Sequence, residues 1–337
     1  MRSGVTAGGN WIVDHLKIVD AWPAQDALAT IVSESSGNGG SPYNILKDLA
    51  CLGASFPLAG VGLIGDDPTG ETILADCRAH RIDTAQMHRT AAAATSYTDV
   101  ITEQGTGRRT FFHQRGANAL LGPEHFDFTR TTARIFHLGY LLLLDRLDAL
   151  SADGQTGAAE VLARARAAGL RTSLDCVSDH RDRFRTVAAP ALPHVDYLFA
   201  NDYEAEKLTG ISLREGQQIN SAAVRAAAAA LLAAGVHCWV FIHFTEGALG
   251  ASRQEAIWQP SLRVPPHDIK GAAGAGDAFA AGVLYGLHED WAVSECLRMG
   301  VSAAAASLYD PRCSASMKPV PECRQLAETL GFISAPA

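Results

Sequence analysis

Residues 271–277 read Gly-Ala-Ala-Gly-Ala-Gly-Asp, and a helical pattern of apolar residues follows them directly. The apolar members of that pattern are Ala278, Phe279, Val283, Leu284 and Leu287. Small residues let a backbone approach a ligand closely, and the free N–H groups of a helix's first turn attract an anion. The stretch therefore predicts a phosphate-binding hole, with Asp277 placed to take a proton from an attacking hydroxyl. From this stretch alone, an Asp277 that only N-caps the helix explains the carboxylate equally well.

From about residue 130 onward, short apolar runs alternate with longer runs rich in alanine and leucine. This alternation predicts repeated βαβ units, an α/β fold and a mainly parallel central sheet. The predicted strands cover 134–138, 170–175, 197–200 and 238–244, and the predicted helices cover 158–168, 201–208 and 222–234. A glycine follows each of these helices closely, as is typical of helix ends.

The first third of the chain has a different pattern, in which strand-like segments are separated by polar turns. We predict strands over 12–19, 27–33, 96–103 and 110–114, with a hairpin at Gly105-Thr106-Gly107. These strands predict a small β-sheet that covers a cleft. It would be a discontinuous lid drawn from about 11–35 and 95–116, within a single catalytic domain of residues 1–337. The open lid is also a candidate surface for a homodimer.

A second polar signal, Asn201-Asp-Tyr-Glu204, comes directly after the predicted strand over 197–200. Asn and Glu three residues apart form a capping box, which by itself accounts for both residues. Their position favours a further role, because open α/β sheets bind ligands beyond the carboxyl ends of their strands. Glu204 is therefore a candidate to hold Mg²⁺ through water molecules, several of which Mg²⁺ usually keeps.

A third signal, Asn38-Gly-Gly-Ser-Pro-Tyr-Asn44, precedes a predicted helix over 45–52, and Asp14 lies upstream on a predicted strand. Asp14 and Asn44 offer the donors and acceptors that a polyhydroxylated ligand requires. Gly39 and Gly40 would let the backbone approach such a ligand. On this feature alone, a flexible turn is the simpler explanation for the two glycines.

Taken in order, these segments resemble the ribokinase-like, or pfkB-type, carbohydrate kinases over nearly the whole chain. The matching segments are Gly9-Asn-Trp-Ile-Val-Asp14, Gly39-Gly40, Asn44, Gly62-Leu-Ile-Gly65-Asp66, Asn201-Asp-Tyr-Glu204 and Gly274-Ala-Gly-Asp277. The resemblance implies a three-layer α/β/α domain with a β-sheet lid. It also implies MgATP as phosphoryl donor and in-line attack by a hydroxyl of a small carbohydrate or sugar acid.

The same resemblance implies roles for the matching residues. They are Asp277 as catalytic base, Gly274, Ala275 and Gly276 as its anion hole, Asn201, Glu204 and Gly247 on the nucleotide side, and Asp14, Gly39, Gly40 and Asn44 as substrate contacts. Arg109, on the predicted lid, is a candidate to meet an acidic group or phosphate of the substrate, or else a solvated strand residue.

Three residues depart from the pattern of the family on its nucleotide side. Gly271 and Ala272 stand where many members have Asp-Thr, and Phe244 stands where a glycine commonly opens a G-x-x-G stretch that ends here at Gly247. Nucleotide preference and a monovalent-cation site therefore stay open, whereas the base and the anion hole are intact.

The sequence also admits other functions. The substrate could be a nucleoside, with Trp11, Phe111 or Phe112 as a shelf for its base, and the scaffold could also serve a catalytically silent sugar-binding regulator. The run Gly60-Val-Gly-Leu-Ile-Gly65 matches a dinucleotide-binding fingerprint. Asp66 and Asp67 follow it at once, however, and place carboxylates where a pyrophosphate would bind.

Composition excludes several classes of protein. The net charge of −8 is spread along the chain, so no basic patch for nucleic acid is expected. The seven cysteines are scattered without a C-x-x-C pair, which argues against a disulfide framework or a zinc site. No apolar run approaches the roughly 20 residues of a membrane span. We therefore expect a cytoplasmic protein with no nucleic-acid or membrane partner.

Overall fold

A computed structural model describes residues 2–334 of the protein. The strands are β1 (Val5–Gly9), β2 (Ile12–Val19), β3 (Ile31–Gly39), β4 (Leu58–Gly65), β5 (Ile82–Thr90), β6 (Ser96–Glu103), β7 (Arg109–Gln114), β8 (Ile135–Leu141), β9 (Arg171–Cys176), β10 (Tyr197–Asn201), β11 (Arg214–Glu215), β12 (Gln218–Ile219), β13 (Trp239–Phe244), β14 (Gly247–Ala251) and β15 (Ala256–Pro260). The α-helices are α1 (Ser41–Leu52), α2 (Pro68–Ala79), α3 (Asp145–Asp148), α4 (Gly157–Ala167), α5 (Phe184–Val187), α6 (Asp202–Thr209), α7 (Ser221–Ala233), α8 (Ala275–His288), α9 (Val293–Ser307) and α10 (Val320–Leu330). Short 3₁₀ helices cover Gly116–Leu120, Pro123–His125, Phe128–Arg130, Ala189–His194 and Pro266–Asp268. None of the helices in this described range has both the length and the apolar character to cross a bilayer.

Nine strands form the central sheet, in the order β15-β14-β13-β10-β9-β8-β1-β4-β5. Neighbours from β13 to β5 pair in parallel, and β14 and β15 extend the sheet as an antiparallel edge. Leu198 and Phe199, adjacent on β10, belong to two different apolar cores, because successive strand side chains point to opposite faces. Helices therefore cover both faces of the sheet. The predicted three-layer α/β/α fold with a mainly parallel sheet is confirmed.

A separate four-stranded sheet has the order β3-β2-β6-β7, and we call it the small sheet. Its strands come from two distant segments, 12–39 and 96–114, and the first segment runs past the predicted limit at residue 35. Strand β2 pairs antiparallel with β3 and parallel with β6, while β6 and β7 form the predicted hairpin. Trp22, Ile31 and Phe112 are about half exposed. A homodimer through the small sheet stays a prediction.

Two predicted boundaries are wrong, whereas the other predicted strands and helices overlap the observed ones. The strand predicted over 27–33 is β3, Ile31–Gly39, whose serine, glycine and asparagine content suggested a turn. Pairing with β2 makes this stretch a strand, since Gly37 lies opposite Asp14 in the ladder. Helix α1 begins at Ser41 rather than at residue 45, with a proline in its first turn, where a missing N–H is tolerated. Asn44 is therefore fixed on a helix.

Trp11 lies where β1 passes into the small sheet, and it is fully buried. Its indole Nε1 donates a hydrogen bond to the Val61 carbonyl at 3.0 Å. A Cβ on Gly62 would overlap the indole ring, and one on Gly60 would lie 2.7 Å from it. Gly60 and Gly62 on β4 therefore make room for the Trp11 ring, so packing explains this part of the fingerprint and no phosphate-binding turn is needed. Trp11 is accordingly a core residue and not a shelf for a nucleobase.

Candidate active site

A cavity of about 1090 Å³ lies between the carboxyl ends of the central strands and the small sheet. Carboxyl ends of parallel strands are where open α/β sheets bind ligands. Among the predicted site residues, Asp14, Gly40, Asn44, Arg109, Asn201, Glu204, Gly274, Gly276 and Asp277 line this cavity, whereas Gly39, Ala275 and Gly247 do not. Residues that are far apart in the sequence thus form one site.

Asp277 lies in the first turn of α8 and is only 4% exposed. The N-cap of that helix is Gly274, with a φ of 76°, and no side chain caps it. The Oδ2 atom of Asp277 accepts two hydrogen bonds, from Asn44 Nδ2 at 2.7 Å and from the Tyr140 hydroxyl at 2.6 Å. Oδ1 has no hydrogen-bond partner within residues 2–334. The capping interpretation is therefore wrong, and one carboxylate oxygen is free to accept a proton.

The electrostatic surroundings of Asp277 adjust its basicity. Burial, and to a smaller extent the negative charge of Asp175, raise the pKa of its carboxyl group from 3.8 to about 7. The hydrogen bonds from Tyr140 and Asn44 lower the pKa of Asp277 and so oppose this effect. A carboxylate that titrates near neutral pH is both ionised in large part and basic enough to act as a general base.

The glycines before Asp277 are required by close packing at the start of α8. A Cβ on Gly276 would lie 2.9 Å from His243 Nε2, and a Cβ on Gly274 would lie 3.1 Å from Cys313 Sγ. Both glycines line the cavity, and Ala275 begins the helix between them. The first N–H groups of a helix have no partner inside it, so this end of α8 favours an anion such as phosphate.

Asp14 and Gly40 line the side of the cavity next to the small sheet, and Gly39 lies against Asp14. Burial raises the pKa of Asp14 to about 6. A Cβ on Gly39 would overlap the Asp14 carboxylate, and one on Gly40, whose φ is 92°, would overlap the Asn10 carbonyl. The two glycines are thus required by packing and are not simply a flexible turn.

The Oδ1 atom of Asn44 is buried without a partner in the described part of the chain, so it is available to a ligand.

Asn201 and Glu204 form the predicted capping box at the start of α6. Asn201 Oδ1 accepts from the Glu204 N–H at 2.8 Å, and Glu204 Oε2 accepts from the Asn201 N–H at 2.9 Å. The Ser178 hydroxyl donates to Glu204 Oε1 at 2.8 Å. Burial raises the pKa of Glu204 to about 8. Helix capping therefore holds this carboxyl group at the cavity wall in a fixed orientation.

Residues 9–320 match the family model described as pfkB family carbohydrate kinase. The chain belongs to this family. Its members transfer a phosphoryl group to an alcohol, so this chain is a phosphotransferase with an alcohol group as acceptor. The cavity lined by Asp277 is thus the candidate active site of a kinase.

Individual relatives of this kinase agree with the family match. The ATP-dependent ribose-1-phosphate kinase of Halopiger xanaduensis is 27% identical over 281 residues, which are 82% of this chain and 81% of the relative. The ribokinase of Arabidopsis thaliana, solved with ribose and ATP, has a TM-score of 0.77 at 20% identity, over 99% of this chain and 100% of that one. A putative ribokinase II of E. coli, solved with ATP and Mg²⁺, has a TM-score of 0.75 at 18% identity, over 97% of this chain and 99% of that one. The two structures share the ribokinase fold with this kinase.

The departures on the nucleotide side of the kinase have different structural consequences. Phe244 is buried against Trp258, with ring centroids 5.7 Å apart, and it does not narrow the cavity. Gly271 and Ala272 do line the cavity, and a Cβ on Gly271 would lie 2.8 Å from Pro311 Cα. A Cβ on Gly247 would overlap the carbonyl of a residue in β15, so strand packing explains this glycine. A contact of Gly247 with the nucleotide stays a prediction.

Sequence reasoning missed Tyr140 and Asp175, which reach the cavity of the kinase from the ends of β8 and β9. Asp175 Oδ2 accepts a hydrogen bond from the Ser41 hydroxyl at 2.9 Å, and Ser41 Oγ lies 2.9 Å from His137 Nε2. His137 Nδ1 in turn lies 2.8 Å from Ser173 Oγ. The available signal was position, since polar residues at the carboxyl ends of predicted parallel strands are ligand-binding candidates.

Proposed function

We propose that the kinase transfers the γ-phosphoryl group of MgATP to a hydroxyl of a small carbohydrate or sugar acid, with Asp277 as the base. The observation that carries this proposal is the state of Asp277, a buried carboxylate with one free oxygen and a pKa of about 7 at a glycine-rich helix start. Asp14 and Asn44 in the same cavity supply partners for substrate hydroxyl groups. The solved relatives that bind ribose with ATP, or ATP with Mg²⁺, support the same assignment.

The proposed reaction uses groups on both sides of the cavity. Oδ1 of Asp277 accepts the proton of the substrate hydroxyl as its oxygen bonds to the γ-phosphorus and the bond to the ADP oxygen breaks. Backbone N–H groups at the start of α8 stabilise the negative charge of the transferred group. The small sheet covers the substrate and keeps out water, which would otherwise compete as the acceptor.

Mg²⁺ fits this site through water molecules. Both carboxylate oxygens of Glu204 already accept hydrogen bonds, and residues 2–334 contain no group of three or more His, Cys, Asp or Glu side chains placed to hold a metal ion. Mg²⁺ commonly binds phosphate oxygens and retains several of its waters. Bound to the phosphates of ATP, it would neutralise part of their negative charge. Glu204, held by Asn201, would accept hydrogen bonds from those waters, since a nearby cation favours the ionised form of its carboxyl group.

Replacing Glu204 with glutamine should raise the Mg²⁺ concentration for half-maximal activity about tenfold, because groups that orient a metal's ligands typically contribute this much to binding. The amide retains the shape of the capping box but removes the negative charge. Activity titrated with Mg²⁺ at fixed ATP measures the effect. Glu206→Gln, on the same helix but outside the cavity lining, is the matched control. An unchanged Mg²⁺ requirement would mean that Glu204 only caps helix α6.

The kcat/KM of the kinase should fall about tenfold for each pH unit below about 7 and level off above it, since only the ionised Asp277 accepts a proton. Tyr140→Phe should move this midpoint upward, because the Tyr140 hydroxyl stabilises the carboxylate. Initial rates between pH 5.5 and 8.5, a range of about three units around the titration, measure both profiles. A midpoint that does not move in Tyr140→Phe assigns the titration to another group.

The proposed activity is tested by an ATP-depletion screen with Mg²⁺ across sugars, sugar acids, sugar phosphates and nucleosides. ADP formation that depends on one of these acceptors is the expected result. Turnover of a nucleoside alone would identify a nucleoside kinase of the same fold. Tight binding of a sugar without any ADP formation would favour the catalytically silent regulator.

A further inference from the structure

Three polar side chains form a row across the inner face of the small sheet. Asp14, Thr98 and His113 lie directly opposite one another on β2, β6 and β7, and all three line the cavity that holds Asp277. Thr98 Oγ1 lies 3.0 Å from His113 Nδ1. Burial raises the pKa of Asp14 to about 6, and a hydrogen bond from Thr98 opposes this rise. The three groups are therefore joined through the Thr98 hydroxyl.

The row fixes which nitrogen of His113 carries the proton. Asp14 is ionised at pH 7, so its carboxylate only accepts, and the single proton of the Thr98 hydroxyl is donated to it. The Thr98 oxygen can then only accept from His113, which places the hydrogen on Nδ1. Burial, together with the positive charge of Arg115, lowers the pKa of His113 to about 4. The ring is therefore neutral, and its Nε2 presents a lone pair.

That lone pair has no partner in the structure. Nε2 of His113 is buried and makes no hydrogen bond within residues 2–334, although the side chain lines the cavity. A buried acceptor without a partner is unfavourable, and native proteins rarely retain one without a function. A ligand that donates a hydrogen bond would satisfy it.

We propose that His113 determines specificity by accepting, at Nε2, a hydrogen bond from a hydroxyl or amino group of the acceptor substrate. The group that meets Nε2 is then a hydroxyl or amino group and not a phosphate dianion or a carboxylate, which offers only further lone pairs. The negative charge of Asp14 at the other end of the row repels such anions as well. This inference rests on the proposed kinase function and identifies one contact of its substrate.

The rest of the cavity wall agrees with an uncharged group at this position. The next row along the small sheet consists of Leu16, Val100 and Phe111, which are opposite one another, line the cavity and offer no hydrogen bond to an anion. Arg109 lies beyond this row, with its guanidinium 5.9 Å from the ring of Phe111. Arg312 donates two hydrogen bonds to Asp310. Arg312 is thus paired with a carboxylate, and Phe111 lies between Arg109 and His113 on this face of β7.

The test compares matched substrates on the full-length kinase. D-Ribose, D-fructose and adenosine are assayed against ribose 1-phosphate and fructose 1-phosphate, by ADP formation and by calorimetric binding. At least one of these compounds should bind, and its affinity should fall at least tenfold in His113→Leu. Undiminished binding of every compound by His113→Leu, or no binding of any of them by the wild type, would overturn the proposal. Binding that weakens in His113→Leu without any ADP formation would refute the kinase function while leaving the role of His113 in place.

Variants test the residue itself. His113→Leu should raise the KM of the preferred substrate at least tenfold with a smaller change in kcat, and His113→Gln should restore most of the loss because its amide oxygen can accept. His15→Leu is the matched control, since His15 lies on β2 outside the cavity lining and stacks on Tyr97. In ¹⁵N NMR spectra of the wild type, the Nε2 resonance of His113 should shift when the preferred substrate binds. Equal effects of the His113 and His15 variants, or an unshifted Nε2 resonance, would contradict the assignment.

Discussion

Asp277→Asn is expected to lower kcat about 10²- to 10⁴-fold, the usual contribution of a general base. The asparagine side chain keeps an oxygen where Asn44 and Tyr140 donate their hydrogen bonds, so its orientation is preserved. The amide group cannot take a proton from the attacking hydroxyl. Substrate affinity should therefore change little, because the loss falls on the chemical step. Steady-state rates and calorimetric binding of the same substrate separate these two quantities.

The control for this prediction is Glu295→Gln. Glu295 is an exposed acidic residue in the first turn of α9, so its replacement removes a negative charge from a helix start outside the cavity. Its turnover should match the wild type. Wild-type-like turnover in Asp277→Asn would end the assignment of the base. Comparable losses in both variants would indicate a general electrostatic effect in place of proton transfer.

Trp11→Ala should lower the free energy of unfolding by about 3–5 kcal/mol, the usual loss for a large aromatic side chain deleted from a core. The indole is fully buried, fills the space left by Gly60 and Gly62, and packs edge-on to Tyr43 with ring centroids 6.3 Å apart. Removing it leaves a cavity and deletes the hydrogen bond to the Val61 carbonyl. Urea unfolding followed by circular dichroism measures the loss.

Trp22→Ala is the matched control, since Trp22 is 48% exposed and lies outside both apolar cores. It should change the unfolding free energy by less than about 0.5 kcal/mol, as surface substitutions usually do. Similar losses in the two variants would mean that Trp11 does not fill the core in solution. Trp11 lies three residues before Asp14, so Trp11→Ala should also weaken substrate binding by loosening the entry into the small sheet.

Much of the fold could be predicted because its determinants are local. The alternation of apolar and alanine-rich runs predicts the mainly parallel sheet. The short strand-like segments between polar turns predict the small sheet. The G-A-G-D run ending at Asp277 marked a helix start suited to an anion. Local patterns did not predict the bounds of β3. Its composition suggests a turn, and its strand conformation depends on pairing with β2.

The sequence by itself determined the family, the order of the elements and the candidate base, because the spacing of motifs along the chain is sufficient for all three. Only the tertiary structure decided what surrounds the base. Asn44 reaches Asp277 across 233 residues of sequence, and Tyr140 reaches it across 137. The lone pair of His113 likewise results from pairing among three strands. Burial, protonation and hydrogen-bond direction depend on groups that meet only after folding, and so local patterns do not encode them.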